Sequence, residues 1–153
     1  MKTNLTMPKT ELVSASVDGA ICYITLDRAA KYNAMNVQMI NELCMMFEWS
    51  ASRSVGQTGE LFDEGGNPYL RVIVLRGAGT HLCAGADINM MRDAGANTPE
   101  ENRLDSERLD RLFNGLWSHP CFTIGAIGGV ALGGGAGLVA CCLLYTSPSP
   151  RDR

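Results

Sequence analysis

Two stretches of small residues carry the residue types best suited to chemistry in this sequence. The first, at residues 83–87, reads Cys-Ala-Gly-Ala-Asp, and the second, at residues 128–138, contains the triplet Gly133-Gly134-Gly135. Small side chains let a ligand come close to the backbone and leave N–H groups free to donate hydrogen bonds to it. The pattern therefore predicts backbone donor sites at both stretches. The first stretch belongs to a small-residue turn at residues 77–87, the first turn, and the second stretch, at residues 128–138, is the second turn.

Each stretch follows an apolar run that predicts a strand. Val72–Leu75 is rich in β-branched residues and too short for a free-standing helix, so we expect a strand buried on both faces. Residues 122–127, FTIGAI, predict a second buried strand, and an apolar helix follows its glycine turn through about Leu144. The repeated order of strand and helix favours a layered α/β fold with right-handed crossovers.

The chain before the first turn predicts a hairpin and a helix. Asp18-Gly19 separates the alternating runs 12–17 and 21–26, which is a strong hairpin signal. Asn36 is a suitable N-cap for an amphipathic helix through about Ser52.

The chain between and after the two turns offers one clear helix signal. Residues 53–69 are polar and glycine-rich, which indicates a surface loop, and Met90–Asn97 is expected to be a mobile segment over the site. Thr98 and Glu101 form a capping box with proline between them, and this predicts a helix over 98–117. Its apolar face is predicted to contain Leu109, Leu112, Phe113, Leu116 and Trp117.

Three motifs in this order resemble the enoyl-CoA hydratase/isomerase (crotonase) superfamily. They are Arg28 with Asn33-Ala34, the turn Ala84–Asp87, and Ala131–Leu138, which fits A-[LM]-G-G-G-x-x-L; Ala29 departs from the usual proline. The resemblance covers about residues 11–142 and looks closest to methylglutaconyl-CoA hydratases. It implies an α/β crotonase fold, a repeated β-β-α spiral that is incomplete here, whose C-terminal helices form homotrimers or hexamers.

The resemblance also implies an active site. The N–H groups of Ala86 and Gly134 would form an oxyanion hole for an acyl-CoA thioester, above all during hydration of a 2-enoyl-CoA, with isomerase and other activities of the superfamily as alternatives. Coenzyme A arrives as part of the substrate, so no separate cofactor and no metal is expected. The residues implied to contact coenzyme A are Lys31, Tyr32, Ala34, Ala84, Asp87, Ile88 and Gly133.

The position of the usual acid/base glutamate, two residues after the glycine triplet, is occupied by Gly137. A second carboxylate that serves some members would lie further along than this sequence reaches. Glu100, Glu101 and Glu107 belong to the predicted helix and are not expected to act. His81 is expected to be a surface histidine, and His119 ends a helix, where a cation suits the dipole.

The composition excludes several other classes of protein. The 153 residues suit one domain, and a formal net charge of -3 with scattered basic residues predicts neither nucleic-acid nor membrane binding. The six cysteines lie in apolar stretches without metal spacing, so we expect buried thiols in a reducing compartment. With no long apolar run and no leader pattern, the expected location is the cytoplasm.

The two ends of the sequence read differently from the rest. Residues 1–10 are polar and expected to be flexible, and residues 11–142 form the N-terminal part of the domain. Residues 143–153, with Pro148 and Pro150, offer no strand and are interpreted as a non-native tail. We therefore expect a truncated, inactive and aggregation-prone chain.

Three alternatives stay open at this point. Gly135–Ala140 fits the G-x-G-x-x-A pattern of a dinucleotide-binding module. The chain could also be a non-catalytic acyl-CoA binder, or its glycines could serve helix–strand packing alone.

Overall fold

A computed structural model describes residues 6–146 and shows one five-stranded sheet. The strands follow one another in the order β1-β2-β3-β4-β5; β1 and β2 are antiparallel and the other neighbours are parallel. Their bounds are β1 Val13–Asp18, β2 Ile21–Leu26, β3 Val72–Gly77, β4 Phe122–Ala126 and β5 Leu144–Thr146. The predicted α/β architecture and the hairpin at Asp18-Gly19 are confirmed.

Helices fill the connections between these strands. Asn36 caps α1 as predicted, since its Oδ1 accepts a hydrogen bond from Met39 N at 2.9 Å. The predicted capping box of Thr98 and Glu101 is present at the start of α4. The helices are α1 Val37–Ser52, α2 Val55–Thr58, α3 Ile88–Ala96, α4 Pro99–Trp117 and α5 Gly134–Cys141, with a short 3-10 turn at Ala29–Lys31.

The main core lies between one face of the sheet and α1, α4 and α5. Burial alternates along β3, where Ile73 and Leu75 are fully buried and Val72 is only partly buried. The expectation of burial on both faces is therefore wrong, because helices cover one face and leave the other partly open. On α4, Leu112 and Leu116 are buried as predicted, but Trp117 is 70% exposed and does not belong to the apolar face.

Two segments differ from the sequence-based expectation. No helix was predicted for residues 90–97, the segment expected to be mobile, but residues 88–96 form α3, because the Asp87 side chain accepts hydrogen bonds from Asn89 N and Met90 N and caps the helix. The last helix ends at Cys141 and not near Leu144. Residues 144–146 instead form β5, beside β4, so the predicted absence of a strand in residues 143–153 is wrong for its first part.

The terminal predictions lie partly outside the described residues. The predicted flexibility of residues 1–10 stays a prediction; residues 1–5 lie outside the described range, and Met7 packs against the core. Pro148 and Pro150 fall beyond residue 146. All six cysteines are free thiols; four are buried and Cys141 and Cys142 are partly buried. No helix within residues 6–146 is long and apolar enough to cross a membrane.

Candidate functional site

Ala86 lies in the first turn between two backbone hydrogen bonds to Met35. Met35 N donates to the carbonyl of Gly85, and Asp87 N donates to the carbonyl of Met35, each at 2.8 Å. These bonds flank Ala86, whose own N–H donates to no acceptor within residues 6–146. Gly85 has a φ of 100°, which a side chain would strain. The N–H of Ala86 is therefore an unused backbone donor.

Gly134 is the first residue of α5 and the second unused donor. Gly133 precedes it with a φ of 50°, a left-handed conformation that favours glycine. Nearby in the same helix start, Gly135 N donates to Leu132 O at 2.7 Å and Gly137 N to Gly133 O at 3.0 Å. Gly134 N has no acceptor in the described part of the chain. As a helix N-terminus it also carries partial positive charge.

The two turns lie directly against each other. Leu132 N donates to Cys83 O at 3.0 Å, and Cys83 N donates to Val130 O at 3.2 Å. A Cβ on Gly85 would lie 3.1 Å from Leu132 O, and one on Gly133 would lie 3.8 Å from the Cα of Gly85. The structure thus brings the segments of both predicted donors together with little room for side chains between them.

Asn33 ties the loop after β2 to the first turn. Its side chain is fully buried; Oδ1 accepts from Arg28 N at 2.8 Å, and Nδ2 donates to Ala78 O at 2.9 Å and His81 O at 2.8 Å. Tyr32 and Asn33 have φ values of 52° and 55°, in the left-handed region. No role was predicted for the Asn33 side chain, although its place in the motif with Arg28 and Ala34 could have indicated one.

The residues predicted to contact coenzyme A lie on three neighbouring segments. Ala84 N donates to Tyr32 O at 3.0 Å, which joins the loop after β2 to the first turn. Lys31, Tyr32 and Ile88 are exposed beside this junction, and the exposed fraction of Ile88 is 70%. Gly133 lies in the second turn, against Gly85. All predicted site residues therefore fall on three segments in mutual contact.

Asp87 and Arg28 form an ion pair across these segments. Arg28 Nη1 donates to Asp87 Oδ2 at 2.7 Å and to the carbonyl of Ala34 at 2.9 Å. Asp87 Oδ1 accepts from Asn89 N at 2.8 Å. The hydrogen bond from Arg28 lowers the pKa of the Asp87 carboxyl, and partial burial opposes this shift. The Asp87 carboxylate is thus already engaged within the chain.

His81 is not a plain surface histidine. Its Nδ1 accepts a hydrogen bond from Val130 N at 3.1 Å, so it connects the first turn to the second. Its ring also meets Tyr32 edge to face, with centroids 5.5 Å apart. His81 is a structural bridge at the site.

His119 is buried and neutral, so the expected cation at the end of α4 is wrong. Burial lowers the pKa of His119 to about 4. Its Nδ1 accepts from Cys121 N at 3.1 Å, and its Nε2 lies 2.8 Å from the Oγ of Ser50, which in turn donates to Phe47 O. The His119 ring therefore joins the end of α4 to α1 and takes no part in the candidate site.

The usual position of the acid/base carboxylate is closed by a neighbouring ring. A Cβ on Gly137 would lie 2.8 Å from Cε1 and 3.1 Å from Cζ of Phe113 on α4. The missing side chain is therefore compensated by packing between α4 and α5. The glutamates of α4 serve the helix: Glu100 and Glu107 pair with Arg103, and Glu101 completes the capping box.

A polar groove of about 530 Å³ lies beside the end of the first turn, at Asp87. The ion pair of Arg28 and Asp87 lines it, but neither Ala86 nor Gly134 does. No group of three His, Cys, Asp or Glu side chains within residues 6–146 could hold a metal ion. The remaining lining comes from the start of α1 and from α3 and α4, including Asn36, Gln38, Asp93, Asp105 and Arg108.

Comparisons of the sequence and of the fold both find enoyl-CoA hydratases and isomerases as similar proteins. The chain is 34% identical over 143 residues to the enoyl-CoA isomerase/hydratase claC of Penicillium crustosum, covering 90% of this chain and 15% of that protein. It is 26% identical over 141 residues to the peroxisomal Delta(3,5)-Delta(2,4)-dienoyl-CoA isomerase of Arabidopsis thaliana, covering 86% and 46%. The crystal structure of an enoyl-CoA hydratase from Shewanella pealeana superposes with a TM-score of 0.78 at 28% identity, covering 91% and 47%.

The chain spans less than half the length of each of these three proteins. Its architecture is nevertheless that of the crotonase fold, as the superposition over 91% of the chain shows. The model of the enoyl-CoA hydratase/isomerase family matches residues 16–147, which include both turns and the loop after β2. The chain belongs to the enoyl-CoA hydratase/isomerase family.

Proposed function

We propose that this chain binds an acyl-CoA thioester and polarises it with the N–H groups of Ala86 and Gly134. The observation that carries the proposal is that both N–H groups lack an acceptor within residues 6–146 while their turns pack against each other. A thioester oxygen placed between the turns would complete both hydrogen bonds. Family membership supports the acyl-CoA as the substrate class.

Two such donors act where negative charge develops. Removing a proton next to the thioester, or adding water to a 2-enoyl-CoA, places charge on the thioester oxygen. One preorganised donor is worth about 3–4 kcal/mol of transition-state stabilisation. Gly134 gains further because it is the first residue of α5, and a helix N-terminus carries partial positive charge. The fixed backbone supplies these donors without any separate cofactor, which is part of the proposal.

The overall reaction we propose for the whole protein is hydration of a 2-enoyl-CoA. Isomerisation of the double bond uses the same charged intermediate and is the second candidate, because relatives carry both names. Phe113 packs where the usual glutamate would stand, so we propose that the 153-residue chain binds and polarises the thioester without turning it over. We further propose that the whole protein is a cytoplasmic homotrimer or hexamer that takes part in fatty acid metabolism or branched-chain amino acid catabolism.

The glycine pattern that suggested a dinucleotide-binding module is explained by packing between the two turns. A Cβ on Gly135 would lie 2.6 Å from the carbonyl oxygen of Cys83, so this glycine is needed for contact between the turns. Approach of a pyrophosphate is not required to explain it. A thermal shift by acyl-CoA thioesters and none by nicotinamide cofactors is the expected result.

The proposal is tested by the enolate absorption of bound acetoacetyl-CoA in the near ultraviolet. Gly134→Pro removes the N–H at a position where helices accept proline, while Gly134→Ala adds a comparable Cβ and keeps the N–H. We expect the wild-type chain to raise the enolate fraction and the proline variant to lower it by about a hundredfold relative to the alanine variant. A proline variant with the same enolate fraction as the wild-type chain, or no enolate band with the wild-type chain, would contradict the proposal.

A further inference from the structure

Met35 contacts both turns with different parts of the same residue. Its N–H and carbonyl bond to Gly85 and Asp87, which fixes the backbone on either side of Ala86. Its side chain reaches the second turn, where a Cβ on Gly134 would lie only 2.6 Å from Met35 Cε. The residue is buried, with 1% of its surface exposed.

We propose that Met35 is a positioning residue that sets the separation between the two backbone donors. The effect of Met35 on catalysis depends on the proposed function, whereas its effect on the separation of the donors depends only on the contacts just described. The backbone bonds hold Ala86 whatever side chain stands at position 35. The thioether methyl packs against Gly134 and limits how closely Gly134 can approach, because packed protein interiors resist even small changes of volume.

The chemistry of methionine suits this task. The side chain is unbranched and ends in a methyl group four atoms from Cα, so it reaches across the gap between the loop after β2 and the start of α5. Leucine has similar volume but branches earlier and reaches less far. Substitution at position 35 is therefore expected to move Gly134 and to leave Ala86 in place.

The experiment compares Met35→Leu, Met35→Ala and Met46→Ala in the 153-residue chain. Met46 lies on α1, is also 1% exposed and loses the same side chain, so it is the matched control for a cavity away from the turns. Amide resonances of Ala86 and Gly134 report the donor positions without any ligand. The enolate absorption of bound acetoacetyl-CoA reports their combined effect, and affinity for free coenzyme A reports the rest of the site.

We expect the two donors to respond differently to substitution at position 35. Met35→Ala shifts the Gly134 resonance, leaves that of Ala86 in place and lowers the enolate fraction about tenfold with unchanged affinity for coenzyme A. Met35→Leu changes the same quantities less, which keeps the test valid if the alanine variant does not fold. Met46→Ala changes none of them.

Other outcomes would overturn the inference. They are an unchanged Gly134 resonance in both Met35 variants, an equal shift at Ala86, or the same pattern in Met46→Ala. If the wild-type chain produces no enolate band, the proposed function fails, and the resonances alone still decide whether Met35 positions Gly134.

Discussion

The two turns of the site are held in place by different forces. The first turn is tied by hydrogen bonds and charge: Asn33 binds two of its carbonyls, Met35 pairs with its backbone, and Arg28 pairs with Asp87. The second turn hydrogen-bonds mainly to the first and is otherwise positioned by close packing, which three glycines of α5 permit. Their neighbours are Met35 at Gly134, Cys83 at Gly135 and Phe113 at Gly137.

This difference predicts which kind of substitution should displace each backbone donor. Hydrogen bonds are directional and fix the orientation of the first turn, so losing one buried partner leaves other groups unpaired. Close packing is not directional, and it sets how near the second turn approaches. Polar substitutions should therefore disturb Ala86, and added or removed volume should disturb Gly134.

The largest expected effect comes from Asn33→Ala. The variant leaves two carbonyls and the N–H of Arg28 without their partner and places alanine at a φ of 55°. Together these changes should lower the free energy of unfolding by about 4 kcal/mol, measured by urea denaturation. Acyl-CoA binding should weaken as well, because the first turn loses its anchor.

Two further variants divide this effect into its causes. Asn33→Gly removes the same hydrogen bonds but tolerates the left-handed backbone, so it should be about 1 kcal/mol more stable than Asn33→Ala. Asn67→Ala changes an exposed asparagine in a surface loop and should alter stability by no more than about 0.5 kcal/mol. A loss at Asn33 as small as that at Asn67 would mean that hydrogen bonds do not anchor the first turn.

A smaller effect is expected from adding volume to the second turn with Gly135→Ala. The new Cβ would lie 2.6 Å from a backbone oxygen of Cys83, which cannot move without moving the first turn. Overpacking of this kind should cost about 2 kcal/mol in the free energy of unfolding. The same substitution at Gly95, in α3 with nothing within 4 Å, should instead stabilise by about 0.5–1 kcal/mol. Equal effects at both positions would show that packing does not constrain the second turn.

Local patterns predicted much of this architecture. Asn36 and Thr98 lie at helix starts because capping depends on residues within a few positions, and Asp18-Gly19 makes a hairpin for the same reason. The glycine turns were recognisable because each follows an apolar strand. The three site segments were identified from their motifs, and the structure shows that they lie in contact.

Features that depend on distant partners were not predictable in this way. β5 exists because Leu144–Thr146 pairs with β4, and nothing within these residues specifies that partner. His119 is neutral because Ser50, 69 positions away, and the surrounding core replace water around it. α3 was missed because its cap, Asp87, was assigned to ligand binding. Trp117 is exposed because the neighbouring elements leave that side of α4 uncovered.

The smallest expected effect concerns the charge that supports the first turn. Asp87→Asn keeps a side chain able to cap α3 but removes the ion pair with Arg28. At neutral pH the wild-type chain should be more stable than the variant by about 1 kcal/mol, since the pair is partly exposed. Arg28 lowers the pKa of the Asp87 carboxyl, so this advantage is complete above the ordinary carboxyl pKa of about 4. It should disappear as pH falls through the lowered pKa, because the folded protein then binds the proton as well.

Urea denaturation of both chains across this pH range measures the difference directly. Titratable groups other than Asp87 contribute to both chains and cancel in the comparison. A difference that persists unchanged at the acid end would assign the effect to helix capping and not to charge. The first turn would then be held only by its neutral hydrogen bonds to Asn33 and Met35. The two turns would still differ, since directional hydrogen bonds hold the first and close packing holds the second, but the ion pair would not contribute to that difference.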